Sequence, residues 1–220
     1  MKPVFLPDFK VNRVVKVMVV ADLFFFGGWA FVQPIFAIFL VDSIPGATVA
    51  TVGFVAALYW IVKSLLQVPI ANFLDTMPGE RDDFFALLFS LLLGAISAFV
   101  FAAASSLFVV FFAQTLYAVA MAMYIPSWYS IFSRHMDEKR VSFDWTIDSV
   151  SIGIAAFAAS LLGGVLAQWF GFRMVFLLAG ALSAISAAVL YFMPDTVFPK
   201  SKTTFPLRLR LWHRRKDVKK

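Results

Sequence analysis

A long apolar stretch runs from Thr51 to Phe73 and contains a single charged residue, Lys63. A run of more than about 20 apolar residues is either a helix that crosses a membrane or a helix buried on all sides. The stretch leads directly into the charged sequence LDTMPGERDD. This sequence suits a turn in water that returns the chain to the lipid at once. The segment therefore predicts a transmembrane hairpin with one cation held at depth.

The composition decides between the two alternatives. Of the 220 residues, 61% are hydrophobic and 15% are charged, whereas a soluble domain is about half apolar and about a quarter charged. There is too little charge to cover a surface that faces water, so lipid is the expected solvent. The chain has no cysteine, which excludes disulfides and thiolate chemistry.

Six apolar segments are long enough to span a bilayer as helices. They lie at about 15–40, 49–73, 84–105, 107–132, 146–168 and 173–193. The sequence thus predicts an all-α integral membrane protein with six transmembrane helices. Its domain would comprise residues 15–193, preceded by an N-terminal segment, 1–14, and followed by a basic tail, 194–220.

The positive charges are distributed very unevenly. All but two of the 19 lysines and arginines, Lys63 and Arg173, fall on one side of the predicted topology. Basic residues concentrate on the cytoplasmic side of membrane proteins. We therefore expect a multi-pass protein of the cytoplasmic (inner) membrane with both termini inside. The basic tail is then an anchor beside an anionic leaflet, and nucleic-acid binding is only a remote alternative.

Two predicted helices each carry a stripe of polar and aromatic side chains, because the residues recur at helical spacing. The first stripe consists of Asp22, Phe26, Trp29 and Gln33, and the second of Gln114, Tyr117, Met121, Tyr124 and Trp128. Such faces are typical of sites for amphipathic small molecules. The alternative is aromatic packing in which the few polar tips are satisfied.

Asp22 and Lys63 are ionisable residues within predicted spans. A lysine at mid-membrane costs about 2.5–3.5 kcal/mol on insertion scales, so it should be paired or hydrated. From the rise of a helix, the two residues lie at similar depth. We expect them to pair or to share a hydrated pocket. The pair would either clamp two helices together or serve in proton exchange or substrate binding.

The sequence argues against an enzyme. Only two histidines are present, His135 in a predicted loop and His213 in the tail. Neither a zinc site nor a histidine-dependent protease site can be assembled from them at membrane depth. No phosphate-binding loop of the P-loop type is found. We expect no cofactor and no metal.

The loop after the second predicted helix resembles the signature of the major facilitator superfamily of secondary transporters. The segment reads Asn72-Phe-Leu-Asp75-Thr-Met-Pro-Gly79-Glu-Arg81. Asp75, Gly79 and Arg81 fit the signature, while Asn72 replaces its first glycine and Thr76 its first basic residue. The end of the fifth predicted helix, Leu161 to Arg173 with Gly163 and Gly164, also resembles members of the family.

The resemblance implies a fold and a mode of action. Members of this family usually have twelve helices in two halves, each built from two inverted repeats of three helices. This chain would supply one such half and act as a homodimer. The first and fourth helices would line the cavity, the second and fifth would form the contact between halves, and the third and sixth would lie at the periphery.

The resemblance also implies gating residues at the charged loops. We expect this role for Asp75, Gly79, Arg81 and Asp144, with Asp75 near the start of the partner's fifth helix, where the helix dipole favours an anion. The substrate and proton site would comprise Asp22, Lys63, Trp29, Gln33, Gln114, Tyr117, Tyr124 and Trp128.

The expected function is alternating-access transport of a small solute, with protons as a candidate coupling ion. The alternatives are an accessory or assembly subunit that does not transport, and one half of a heteromeric transporter. The substrate and the direction of transport are beyond the sequence.

Overall fold

The computed structural model describes residues 11–192, which are helical throughout apart from short connections. The helices are α1 (Arg13–Val32), α2 (Phe36–Ser43), α3 (Val49–Thr76), α4 (Arg81–Ala102), α5 (Leu107–His135), α6 (Val141–Phe170) and α7 (Phe172–Tyr191). The structure has six helices that are long and apolar enough to span a membrane, because α1 and α2 together form the first span. The all-α prediction with six spans is confirmed for this part of the chain.

Most of the predicted flanking segments lie outside the described residues. They comprise 1–10 at one end and 193–220, including the basic tail, at the other. The cytoplasmic location of both termini therefore stays a prediction.

Several helices extend further than the apolar pattern predicts. The third span begins at Arg81 rather than 84, and the fifth at Val141 rather than 146. Both starts carry carboxylates in their first turn, Asp82 and Asp83 in one and Asp144 in the other. Negative charge there is stabilised by the N–H groups and dipole of the helix. The charged loop is thus short, and most of its carboxylates lie on helix ends.

The helices pack side by side in the order α3, α5, α4, α7, α1, α6. The six spans can be paired across the two halves of the chain, α1 with α5, α3 with α6 and α4 with α7. When the members of each pair are swapped, the packing order is the same as before but runs in the reverse direction. This is the arrangement expected of two inverted repeats of three helices. It places α4 and α7, which carry few polar residues, in the middle of this row, and exposed side chains such as Phe89 and Ile96 show that α4 keeps an outward face.

Helix α6 packs on α1 through small residues. A Cβ atom at Gly163 would lie 2.4 Å from the backbone oxygen of Phe31, so only glycine permits this approach. Ala159, one turn earlier, is buried, and Ser160 donates a hydrogen bond to the backbone oxygen of Ala30 (3.2 Å). Small residues allow such close contact between membrane helices.

The sequence also suggests a contact face for another helix at Ala156, Ser160 and Gly164, which repeat every four residues. Ser160 of this face bonds to α1, whereas within residues 11–192 nothing lies within 4 Å of a Cβ atom built at Gly164, so that end of the face is open.

The two end helices of the row, α3 and α6, have uncovered outer faces. Only 11% of the residues in the most apolar part of each are buried, against 44–50% for the other four spans. Gly53 on α3, and Gly153 and Gly164 on α6, have no neighbour within 4 Å of an added Cβ atom. A further surface could therefore approach both helices closely.

Candidate functional site

The first of two neighbouring cavities, with a volume of about 410 Å³, is lined by α1, α3 and α5. Four predicted site residues meet in it: Trp29, Gln33, Gln114 and Tyr117. The two helix stripes thus share a cavity, since helical spacing brings each set to one face. Tyr59 and Trp60 of α3, which the sequence does not single out, complete the wall.

Aromatic rings define the shape of this first cavity. The rings of Trp29 and Tyr117 lie 3.9 Å apart, and those of Tyr59 and Tyr117 lie 5.7 Å apart and nearly parallel. The indole nitrogen of Trp29 is buried and has no hydrogen-bond partner within the described residues. A bound molecule with a hydrogen-bond acceptor would satisfy it.

The second cavity, of about 250 Å³, lies beside Asp22, Tyr124 and Trp128. Asp22 lies seven residues before Trp29 on α1, and Tyr124 lies seven residues after Tyr117 on α5. Seven residues of helix span about 10 Å, so the two cavities are about that far apart along the helices. The wall is completed by α6 with Trp145 and Asp148. The predicted substrate residues therefore divide between two adjacent cavities.

Asp22 is the most deeply buried acid of the second cavity, with 3% of its surface exposed. The hydroxyl group of Tyr124 donates a hydrogen bond to its Oδ1 atom. The carboxyl group of Asp148 is close enough to interact with that of Asp22. This second acid is 7% exposed, and its Oδ1 atom has no hydrogen-bond partner.

The predicted pairing of Asp22 with Lys63 is wrong within this chain. The Lys63 ammonium lies over the rings of Tyr59 and Trp60, 5.6 and 4.7 Å from their centroids. The reason is that α3 and α1 face each other only across the first cavity and are not packed together, and Lys63 lines neither cavity. Equal depth in the membrane does not bring two side chains together when their helices are not neighbours. The ring faces instead provide the cation with a favourable contact.

A cluster of charges lies at the end of the bundle where α3 meets α4. One guanidinium nitrogen of Arg134 donates hydrogen bonds to Asp83 and to the backbone oxygen of Gly79, both at 2.9 Å. Ser130 donates a third hydrogen bond, at 2.7 Å, to the same oxygen of Asp83. These contacts hold the end of α5 against the start of α4.

The predicted gating residues occupy this end of the molecule in different ways. Gly79 has φ +109°, a conformation that favours glycine, and its carbonyl accepts from Arg134. Asp75 is exposed and lines the same pocket as Asp83 and Arg134. Arg81 is also exposed and lies over the Phe85 ring.

Asp144 is buried, and its Oδ2 atom accepts the N–H of Asp137 at 3.0 Å. It thus fixes the connection between α5 and α6. Its role in gating stays a prediction.

A second ionic contact joins the same loop to α5. His135 Nε2 lies 3.6 Å from a carboxyl oxygen of Glu80. Burial raises the pKa of Glu80 above its ordinary value of 4.5, although His135 and Arg134 act in the opposite direction. The loop between α3 and α4 is therefore bound to α5 at two points.

Sequence reasoning missed two acids that the structure places at these sites. From the sequence, Asp148 is a candidate partner of Arg134 or Arg140. In the structure Arg134 pairs with Asp83, and Asp148 lies beside Asp22 in the second cavity. The available signal for Asp148 was its position, a full turn deeper in the helix than Asp144. Asp83 carried no such signal, because it lies in a run of charges whose orientation the sequence does not define.

Comparison with known proteins identifies the family. The family model described as Major Facilitator Superfamily matches residues 18–219. The chain belongs to the Major Facilitator Superfamily. Membership confirms the resemblance found in the loop after the second span, and it agrees with a multi-pass membrane protein.

A solved structure supports the same fold for this Major Facilitator Superfamily chain. The in meso crystal structure of the POT family transporter PepTSo matches with a TM-score of 0.71 at 15% sequence identity. The match covers 85% of this chain but only 38% of the PepTSo chain, so the chain spans less than half the length of that transporter. No individual curated protein matches the chain.

Proposed function

We propose that the chain forms half of a secondary active transporter of the cytoplasmic membrane, which moves a small solute by alternating access. Two copies would form the working unit. The observation that carries this proposal is a buried carboxyl group, that of Asp22, in a cavity between helices that are long enough to span a membrane. Ionisable residues at such positions mark substrate or proton pathways in membrane proteins.

The two cavities provide a continuous face for a solute. The first contributes amides and aromatic rings, and the second contributes carboxyl groups about two helical turns away. An amphipathic molecule would bind its apolar part to the rings and its polar part to the amides or acids. The proposed solute-binding residues are the predicted set without Lys63, which lines neither cavity, and with Asp148 and Trp145 added.

The uncovered faces of α3 and α6 support the pairing with a second copy. In a dimer with a two-fold axis along the membrane normal, α3 of one copy would meet α6 of the other, and the same contact would occur twice. The open glycines Gly53, Gly153 and Gly164 allow a close helix approach on these faces. Lys63, on α3, would then lie near the contact between copies.

The proposed gate combines exposed and buried charges. Exposed Asp75 would bind the N-terminal end of α6 of the second copy, where helix N–H groups favour an anion. The Arg134–Asp83 pair would hold each copy's own loop in place. Formation and rupture of the Asp75 contact would accompany closing and opening of the cytoplasmic side.

Asp22 is the proposed carrier of the coupling proton. Its hydrogen bond from Tyr124 holds the carboxyl group toward the second cavity, and both residues are almost fully buried. A carboxyl group in this position can exchange a proton only when the cavity opens to water, which is the property a coupled transporter needs.

The test is reconstitution of the full chain in liposomes with a panel of radiolabelled solutes, with and without an imposed pH gradient. We expect uptake or exchange of at least one solute, accelerated by the gradient. Asp22→Asn should abolish the effect of the gradient, whereas Asp42→Asn, which changes an exposed acid on α2, should not. A gradient response in Asp22→Asn equal to that of the unmodified chain would contradict the proposed coupling.

The second candidate is an accessory subunit or one half of a heteromeric transporter. The uncovered faces of α3 and α6 are equally open to a different six-helix protein. Transport by the purified chain alone in liposomes would exclude this alternative. Co-purification of a second six-helix protein, without which no transport occurs, would favour it.

A further inference from the structure

The second cavity contains two acids and no base. Asp22 enters it from α1 and Asp148 from α6, and every other residue of its lining is uncharged. Their exposed fractions are 3% and 7%. Two carboxyl groups that interact in a buried site are both ionised only when a positive charge lies beside them, because each ionised group raises the energy of the other; without that charge they share a proton. No lysine or arginine of the described residues forms an ion pair with either of them.

The walls of this cavity are aromatic. The Trp128 and Trp145 rings lie 5.5 Å apart, and Trp145 also lies 5.6 Å from Tyr129. The faces of tryptophan and tyrosine rings attract cations, and quaternary ammonium groups are commonly bound in cages of such rings. Aromatic walls provide none of the six or more oxygen ligands that a calcium ion requires.

Two polar atoms at the cavity form no hydrogen bond of normal geometry within the described residues. They are the Oδ1 atom of Asp148, an acceptor, and the indole Nε1 of Trp128, a donor, and both side chains lie close enough to Asp22 to interact with it. Buried polar groups are nearly always paired in folded proteins. A ligand with positive charge or a hydrogen-bond donor would complete the bonding of the Asp148 carboxyl group.

We propose that this cavity binds a compact organic cation, such as a quaternary or protonated amine, between Asp22, Asp148 and the aromatic walls. The inference rests on the proposed transport function, for which it specifies the substrate class. The volume of about 250 Å³ limits the charged head group to a small one. An apolar substituent would extend along the shared helix face toward the first cavity. Protons compete with the cation for the same carboxylate oxygens, so binding weakens as the pH falls.

Binding of radiolabelled choline to the purified full chain tests the proposal. The competitors are unlabelled choline and its uncharged carbon analogue, 3,3-dimethylbutan-1-ol, which have nearly the same shape. We expect choline, but not the alcohol, to displace the label. Equal displacement by the alcohol, or no binding of either choline or tetraethylammonium by folded protein, would overturn the proposal.

Three variants locate the site. Asp148→Asn keeps the shape of the side chain and removes its charge, so it should weaken choline binding about tenfold or more. Trp145→Phe keeps an aromatic wall with a weaker attraction for cations and should weaken binding about two- to fivefold. Asp42→Asn removes an acid from the opposite end of the molecule and should bind as the unmodified chain does. Unchanged binding by folded Asp148→Asn would sink the assignment.

The same preparations separate this inference from the transport proposal. Choline binding without uptake of any solute into liposomes would leave the cation site intact and contradict transport. Uptake of other solutes by protein that does not bind cations would leave transport intact and overturn the cation site. Elution of each variant at the position of the unmodified chain in size-exclusion chromatography identifies which samples are folded.

Discussion

The hydroxyl group of Tyr124 on α5 donates a hydrogen bond to the carboxyl group of Asp22 on α1, across 102 positions of sequence. The two helices also meet through aromatic rings, with Trp29 of α1 and Tyr117 of α5 lying 3.9 Å apart. The bond therefore joins the two inverted repeats at the candidate site. The Tyr124 ring itself stacks on Phe25 at 5.2 Å, so the phenol has a fixed position.

Removal of this hydroxyl group should impair coupling without loss of the fold. Tyr124→Phe keeps the ring stack and leaves the Asp22 carboxyl group without its donor. A hydrogen bond of this kind contributes about 0.5–1.5 kcal/mol, so we expect gradient-driven uptake to fall about two- to tenfold. The measurement is the initial rate of uptake into proteoliposomes at several pH gradients.

A double variant and a matched control sharpen this test. Because both changes act through one hydrogen bond, Tyr124→Phe combined with Asp22→Asn should be no worse than Asp22→Asn alone. Tyr191→Phe, which removes an exposed hydroxyl group at the end of α7, should transport normally. Strict additivity of the two site changes would mean that the residues act separately.

Two adjacent glycines should respond very differently to alanine. In Gly163→Ala the new methyl group meets the backbone oxygen of Phe31 at 2.4 Å, and α1 or α6 has to shift. Overpacking of this kind costs about 1–3 kcal/mol. Gly164→Ala places its methyl group in open space and should not destabilise the fold. Thermal unfolding followed by fluorescence would rank the two variants, and equal stability would contradict the close α1–α6 contact.

The Arg134–Asp83 pair should contribute to stability. Asp83 has 2% of its side chain exposed, so Arg134→Ala leaves a buried carboxylate with Ser130 as its remaining side-chain partner. We expect a loss of about 1–3 kcal/mol, which a lower unfolding temperature would report. Arg81→Ala is the control, because its exposed side chain makes only a distant contact with a ring and should matter by less than about 0.5 kcal/mol. An equal effect of the two changes would argue against the pair.

The proposed contact between copies can be trapped by disulfide formation. The chain has no cysteine of its own, so chains that carry only Asp75→Cys and chains that carry only Ser142→Cys can be co-expressed with different tags. Oxidation should join the two tags covalently, because the dimer would place these residues together. Asp42→Cys, at the other end of the bundle, should not join with Ser142→Cys. Absence of the mixed product from membranes would count against the dimer.

Glu80 should make stability depend on pH. Burial raises its pKa in the folded chain above 4.5, so the folded state holds the proton to higher pH than the unfolded state does. The contribution of this group is therefore fully present at low pH and declines as the pH rises through the raised pKa. The unfolding temperature of the unmodified chain should therefore fall as the pH rises above 4.5, and Glu80→Gln should remove the part of this fall that Glu80 causes. The control is Glu138→Gln, which changes an exposed acid and should leave the fall unchanged. Parallel pH profiles for the unmodified chain and Glu80→Gln would refute this.

The sequence predicts those features that depend on local pattern. The six spans follow from hydropathy, and the residues Trp29, Gln33, Gln114 and Tyr117 meet in one cavity because helical spacing alone brings each pair to one face. The loop with Gly79 also has the backbone conformation that favours glycine. Helical spacing needs no knowledge of neighbours, and the shared cavity of the first and fourth spans is what the resemblance to the family implies.

The partners of charged residues could not be predicted, because they depend on the packing order. Lys63 and Asp22 lie at similar depth, yet their helices are separated, and the acid that meets Asp22 comes from α6. Asp148 resembles any polar residue near a helix start until the fold places α6 against α1. The sequence likewise does not define which small residues of α6 face α1, since the rotation of a helix is set by its neighbour.

The contact between Gly163 and Phe31 also constrains how the molecule can move. It fixes the rotation and axial position of α6 on α1, and these are the two helices that carry Asp148 and Asp22. A change in the spacing of the two acids would require that backbone contact to break. In any cycle of motion, then, the acids travel together as one rigid unit, and what changes around them is the side from which water arrives.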